Sequence, residues 1–202
     1  MTHRALIFLL ALASPTVVAA QQFTKPGPVT PLSKPQPLDT TGRFLAAADR
    51  VGDIIIAGQP TERALRELQA AGVTTVVNLR TPPEMTRNVP FDEGALVRSL
   101  GMTYVTIPVR GDSAYPYAPE TITHFGDAVR ASKGKVLLHC TVGWRASHLW
   151  AAYLIQERGV AVEDALANAR AINLMDAHHM TNAKRQPVED FLDRSLPTLG
   201  KP

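Results

Sequence analysis

The residues best suited to chemistry sit together in Val136-Leu137-Leu138-His139-Cys140-Thr141-Val142-Gly143-Trp144-Arg145-Ala146-Ser147. An apolar run ends at Cys140, the one cysteine of the chain, and Arg145 follows five positions later. The pattern reads as a short buried strand, a loop of a few residues, and a helix continuing through Leu154 to Arg158. A loop that opens a helix turns backbone N–H groups inward, and the helix dipole adds partial positive charge. Thr141, Val142, Gly143, Trp144 and Ala146 would form that anion-binding turn. A thiol at its mouth is favoured as the thiolate, and arginine offers a planar fork of donors to an oxyanion. Cys140 and Arg145 thus read as a nucleophile with its anion cradle. A cysteine after an apolar run can also be a small buried hydrophobe. The coincidence of His139, Gly143, Arg145 and a following helix favours chemistry.

Three further residues bear on this site. Asp112 lies 28 residues before Cys140. If its loop folds over the cysteine, its carboxyl group can protonate a leaving oxygen and later activate water. Gly-Asp-Ser is equally ordinary turn chemistry, so both readings stand. Arg80 either adds positive potential at the site edge or, the favoured reading, pairs with a nearby carboxylate such as Glu84. His139 points away from the substrate face by strand alternation and is expected to hydrogen-bond beneath the loop. No spacing of histidines and acids suggests a metal site.

These side chains need a scaffold, and the chain has the length for one. Of the 202 residues, the first twenty have a basic start, a short apolar run and small residues at Val18-Ala19-Ala20, the composition of a secretory signal peptide. The apolar run is too short to span a membrane. A periplasmic or secreted location follows as an expectation. Residues 21–42, with prolines at 26, 28, 31, 35 and 37, read as an extended Pro-rich tether. Residues 43–197 are then one domain. Without the signal segment the chain carries 20 Lys and Arg against 18 Asp and Glu, too even a balance to argue for nucleic acid. One cysteine cannot make an internal disulfide, which favours a working thiol in an oxidising compartment.

Within the domain, residues 53–58 read as a strand, and Thr61 caps a helix through Ala71. Residues 73–79 are a second strand, followed by a loop at Arg80-Thr81-Pro82-Pro83-Glu84 that the prolines keep irregular. A helix at 91–100, a strand at 102–107, an irregular loop at 108–117 and a helix at 119–132 follow. The strand at 135–139 leads into the cysteine loop, with helices at 146–158, 162–173 and 188–196. Strands alternating with helices predict an α/β fold, a mainly parallel central sheet flanked by helices. Ligands bind beyond the carboxyl ends of such strands, where Arg80, Asp112 and Cys140 should gather.

The loop resembles the His-Cys-x-x-Gly signature of cysteine-dependent protein tyrosine and dual-specificity phosphatases. It is similar in particular to the bacterial beta-lactamase hydrolase-like, phosphatase-like branch. Ala57-Gly58-Gln59-Pro60, Val76-Val77-Asn78-Leu79-Arg80 with Glu84, and Leu149-Trp150 extend the likeness over roughly residues 44–173. The resemblance implies a phosphoric monoester hydrolase. In it Cys140 attacks phosphorus to form a cysteinyl-phosphate, Arg145 and the loop amides hold the oxygens, and Asp112 serves as acid and then base. It implies no cofactor, and a phosphorylated small molecule or protein as substrate. Oligomeric state is not legible.

Two departures open alternatives. Four residues separate Cys140 from Arg145 where typical phosphatases have five, and the shorter loop is also similar to that of rhodanese sulfurtransferases, whose cysteine carries a persulfide. Ala146 stands where phosphatases place a hydroxyl, with Ser147 one position late. A non-catalytic module that binds a phosphorylated ligand is the third reading.

Overall fold

The computed structural model describes residues 32–173 and 185–196. The expected signal peptide at 1–20 and the first part of the Pro-rich stretch lie outside the described residues. Strands Ile54–Ala57 (β3), Val73–Asn78 (β4), Thr103–Thr106 (β5) and Lys135–His139 (β6) correspond to the four expected from sequence. Gln36–Pro37 (β1) and Ala48–Val51 (β2) add two more. One sheet results, in the order β1-β2-β3-β6-β4-β5. β3, β6, β4 and β5 pair in parallel, and β1 and β2 join antiparallel along β3. The mainly parallel α/β sheet is as the sequence implies.

Around it lie helices Glu62–Ala70 (α1), Pro82–Asn88 (α2), Glu93–Ser99 (α3), Pro119–Ala131 (α4), Trp144–Gln156 (α5), Val162–Arg170 (α6) and Pro187–Phe191 (α7). Central strands that are apolar on both faces require this double covering. One face, with Ile54, Ile56, Val77 and Leu138, packs on Ile122 and Phe125 of α4 and Leu149 of α5. The other, with Ile55, Val76 and Leu137, packs on Leu65 and Leu68 of α1 and Val97 of α3. β6 lies between β3 and β4, so the loop at its carboxyl end emerges at the middle of the sheet. Among the described residues no helix is long and apolar enough to cross a membrane.

Four expectations are corrected. The Pro-rich stretch is not a free tether through residue 42, because Gln36 and Pro37 pair with Arg50 and Asp49 and Asn168 Nδ2 donates to the carbonyl of Ser33 at 2.9 Å. An edge strand tolerates proline, since one side of its backbone needs no partner. Pro82 and Pro83 do not keep their segment irregular; they open α2, where the missing N–H groups are not needed. α5 begins at Trp144 rather than at residue 146, because left-handed Gly143 turns the chain directly into the helix. α6 and α7 are shorter than expected, ending at Arg170 and Phe191.

The cysteine loop is pinned to the end of β3. Gly58 bridges to Val142, and its N–H donates to Ala47 O at 2.8 Å. A Cβ on Gly58 would lie 3.1 Å from both Ala46 N and Thr141 O, which are backbone atoms with little room to yield. Gly58→Ala should therefore destabilise the fold by about 1–3 kcal/mol, seen as a lower urea midpoint with an unchanged slope. An unaltered midpoint would show that the two backbones separate freely.

Candidate active site

Strand alternation divides the end of β6 between the two faces. Cys140 joins Leu138 in the core on the α5 side and is 1% exposed, while His139 faces α3. Gly143 sits at φ +87° as the N-cap of α5, a conformation that costs a non-glycine residue about 1–2 kcal/mol. The loop is held from two sides. Gln59 N donates to Thr141 O at 2.9 Å, and Asn173 Nδ2 donates to Val142 O at 2.5 Å. Trp144, Arg145 and Ala146 form the first turn of α5, whose leading N–H groups have no partner within the helix. Trp144 is buried edge-on against His148, with ring centres 4.8 Å apart, and does not cap the site. Ser147 Oγ donates to Trp144 O at 2.8 Å. That hydroxyl serves the helix.

Arg145 folds back over the loop. Its Nη2 donates to Thr141 Oγ1 at 3.0 Å and to Glu84 Oε1 at 2.7 Å. Its Nη1 donates to Glu84 Oε2 at 3.0 Å and to Val109 O at 2.7 Å. Burial works against the charge on Arg145, but Glu84's hydrogen bonds and negative charge help outweigh it. Glu84 is where the sequence reading of Arg80 is corrected. α2 turns the Glu84 carboxylate back onto Thr81 N and Oγ1, both at 2.9 Å, and onto Arg145. Arg80 instead donates to Gln59 Oε1 at 2.6 Å and to the Glu84 backbone carbonyl at 3.1 Å. Burial lowers the pKa of Arg80, Glu84 counteracts this, and nearby Arg145 adds to the lowering. Two guanidinium groups thus share one end of the sheet.

Beneath the loop lies a buried polar network. His139 Nε2 is 3.0 Å from Glu93 Oε1, and both side chains are fully buried. Gln59 Nε2 donates to Glu93 Oε2, and Tyr104 OH donates to Glu93 Oε1 at 2.9 Å. Asn78 Nδ2 donates to Tyr104 OH at 2.8 Å, and Asn78 Oδ1 accepts from Arg80 N at 2.8 Å. Burial opposes the charge on Glu93, yet His139 and these donors hold its pKa below the ordinary carboxylate value. His139 therefore supports the loop from below, as strand alternation implied.

Asp112 is not brought to this cluster. It is exposed, with Oδ1 accepting from Ala114 N at 3.1 Å and Tyr115 N at 2.9 Å and Oδ2 3.7 Å from Arg110 Nε. Its loop contributes Tyr117 instead. Burial pushes the Tyr117 phenol up to about 12, against the opposing charge of Arg145. Sequence reasoning missed Tyr117, Asn173 and Glu93 as neighbours of the site. None carries a spacing signal, since each arrives from a separate element. Glu84 was visible as part of a motif, though its partner was not.

The Arg145–Glu84 pair sets a pH dependence. Burial alone would raise the Glu84 pKa, but Arg145 and Thr81 lower it from 4.5 to about 2. A carboxyl depressed in the fold contributes its stability above its unfolded value and loses it as pH falls through the folded one. Between pH 5 and 2 the protein should therefore lose roughly 2–3 kcal/mol more stability than Glu84→Gln, read from urea midpoints. Parallel profiles would show that Glu84 does not bind the Arg145 charge.

Comparison with known proteins agrees with this geometry. Residues 45–187 match the profile of a family described as DSP-PTPase phosphatase fused to NAD+ kinase. A beta-lactamase hydrolase-like protein of Xylella fastidiosa is 32% identical over 139 residues, covering 67% of this chain and 31% of the relative. The chain thus spans about a third of that relative's length. A structure of a DUF442 phosphatase candidate from Shewanella putrefaciens shares 29% identity at TM-score 0.50, covering 63% of this chain and 82% of the other. P. aeruginosa TpbA, solved with phosphotyrosine, shares the fold at 20% identity and TM-score 0.52, covering 68% and 78% of the two chains. By its matching segment, its curated relative and its fold, the chain belongs to the dual-specificity, protein-tyrosine-phosphatase-like (DSP-PTPase) family.

Proposed function

We propose that the protein is a cysteine-dependent phosphatase that hydrolyses a phosphate monoester through a cysteinyl-phosphate. The observation that carries this is Arg145 lying back over the loop, within reach of Thr141 Oγ1, while its carboxylate partner fixes its plane. The guanidinium donates to neutral acceptors, Thr141 Oγ1 and Val109 O, as well as to Glu84. An incoming phosphoryl oxygen is a stronger acceptor than a hydroxyl and would displace Thr141 before Glu84. Cys140 then attacks phosphorus, the ester oxygen leaves with the bonding pair and takes up a proton, and water cleaves the S–P bond to release phosphate. The α5 amides and Arg145 stabilise the charge on the equatorial oxygens in both steps. The phosphotyrosine complex of TpbA supports a monoester as the substrate class. Residues 1–20, read as a signal peptide, would place this activity outside the cytoplasm.

The purified protein should hydrolyse 4-nitrophenyl phosphate, and Cys140→Ser should abolish turnover. Equal rates for the two proteins would sink the nucleophile assignment. The four-residue spacing motivates sulfur transfer as a second reading; a one-sulfur mass increase on Cys140 after thiosulfate, without phosphatase turnover, would favour it.

For Asp112 to serve as the acid, its loop must release the turn that Ala114 N and Tyr115 N now hold. In that event Asp112→Asn lowers kcat by roughly 10²–10⁴-fold for alkyl phosphates, whose leaving oxygen needs a proton, and less for 4-nitrophenyl phosphate. An unchanged alkyl-phosphate rate assigns Asp112 to the turn alone.

A further inference from the structure

A cleft of about 660 Å³ opens beside the cysteine loop. Its lining includes Thr141, the residue after Cys140, and buried Arg80, together with Phe44, Leu45, Pro60 and Phe91. The volume falls in the range of pockets that enclose small organic ligands. Leu45 is 64% exposed, and among the described residues it is the one large hydrophobic side chain left so open. Phe44 and Phe91 are partly buried and pack against the core below. Apolar surface held open next to charged chemistry marks a binding surface.

The walls are referenced to the cysteine loop by backbone bonds in series. Gln59 N donates to Thr141 O at 2.9 Å, and Leu45 N donates to Gln59 O at 2.9 Å. Phe44 in turn bridges to Pro60. A ligand body lying on Phe44 and Leu45 is therefore at a fixed offset from the loop that holds the phosphoryl group. An aromatic occupant suits this lining better than an aliphatic one. The phenylalanine walls offer edge and face contacts to the same occupant.

We propose that this cleft is a subsite for the alcohol part of the substrate, and that this part is an aromatic group larger than a single ring. The assignment rests on the phosphatase reading, which puts the phosphoryl end at Cys140 and Arg145. Phe44, Leu45 and Phe91 then determine specificity without touching the reacting atoms.

The test uses the Cys140→Ser protein, which binds without turnover, titrated calorimetrically with methylphosphonate and with (1-naphthyl)methylphosphonate. The naphthyl compound should bind about tenfold more tightly or better, the scale expected for burying additional apolar rings. Adding Leu45→Ser, which alters an exposed side chain and leaves the core intact, should reduce that advantage several-fold with methylphosphonate binding unchanged. Phe91→Leu should act in the same direction. Equal affinity for the two compounds, no saturable naphthyl binding, or an advantage that survives Leu45→Asp overturns the subsite. Native protein that binds the naphthyl compound tightly but does not hydrolyse 1-naphthyl phosphate overturns the phosphatase reading and retains the subsite. Equal kcat/KM for 1-naphthyl and glycerol phosphates does the reverse.

Discussion

The constraint on which this site depends is the burial of Arg145's charge. A guanidinium 8% exposed is tolerable only if its donors are satisfied and an opposite charge lies close. Glu84 meets both needs, with one carboxylate oxygen on each terminal nitrogen. The carboxylate comes from α2, a short helix with no buried residue of its own. Its place is fixed by Thr81 at its start and by Arg145 at its far side. Cradle and helix order one another: without Arg145, Glu84 loses its main cationic partner, and without Glu84 the arginine has no carboxylate to set its plane.

A second layer keeps that pair in register with Cys140. His139 and Cys140 are adjacent but belong to opposite faces of β6, so the strand transmits order from one face to the other. On the lower face Glu93 collects His139, Gln59 and Tyr104, and Gln59 passes the network on to Arg80. Because Gln59 also donates its backbone N–H to Thr141 O, one residue ties the buried carboxylate to the loop that flanks the thiol. A network of this kind is costly when any member is unpaired, which makes it specify one loop conformation rather than several.

What the sequence made legible follows the physics of each element. The four strands that build the parallel sheet announced themselves as β-branched or apolar runs, and alternation assigned His139 and Cys140 to their faces. β1 and β2 stayed hidden because they are short and lack an apolar run: β1, at the sheet edge, is Gln36-Pro37, and β2 beside it carries the charged pair Asp49-Arg50. α2 was mistaken for irregular chain because proline was read as a breaker, although at a first turn it is a starter. The strand, loop and helix that carry Cys140 and Arg145 were readable because such a turn depends on local spacing. Glu84's partner was not, since the choice between Arg80 and Arg145 turns on which way a side chain leaves a helix that spacing alone did not reveal. Asp112 illustrates the other limit: its type fits acid chemistry and turn chemistry equally, and the structure shows its turn hydrogen bonds.

The parts of the site also differ in how firmly the fold holds them. Cys140, the loop and the start of α5 sit at the centre of the sheet, between two strands and over a helix buried nearly throughout. The proposed attack on phosphorus would need this rigidity, because anion-binding donors are effective when they need not reorganise as charge develops. The 108–117 loop is fixed at its start, where Val109 N donates to Leu79 O, and closes on itself beyond: Arg110 and Gly111 N–H groups return to Tyr115 O, and Tyr117 packs against Gly111 so closely that a Cβ there would lie 2.5 Å from its ring. Tyr117 is its anchor, set edge-on against Phe191 at 5.0 Å. The fold thus gathers its buried polar groups around the Cys140 loop and Arg145, and holds the segment carrying Asp112 at its two ends, through Val109 and through Tyr117.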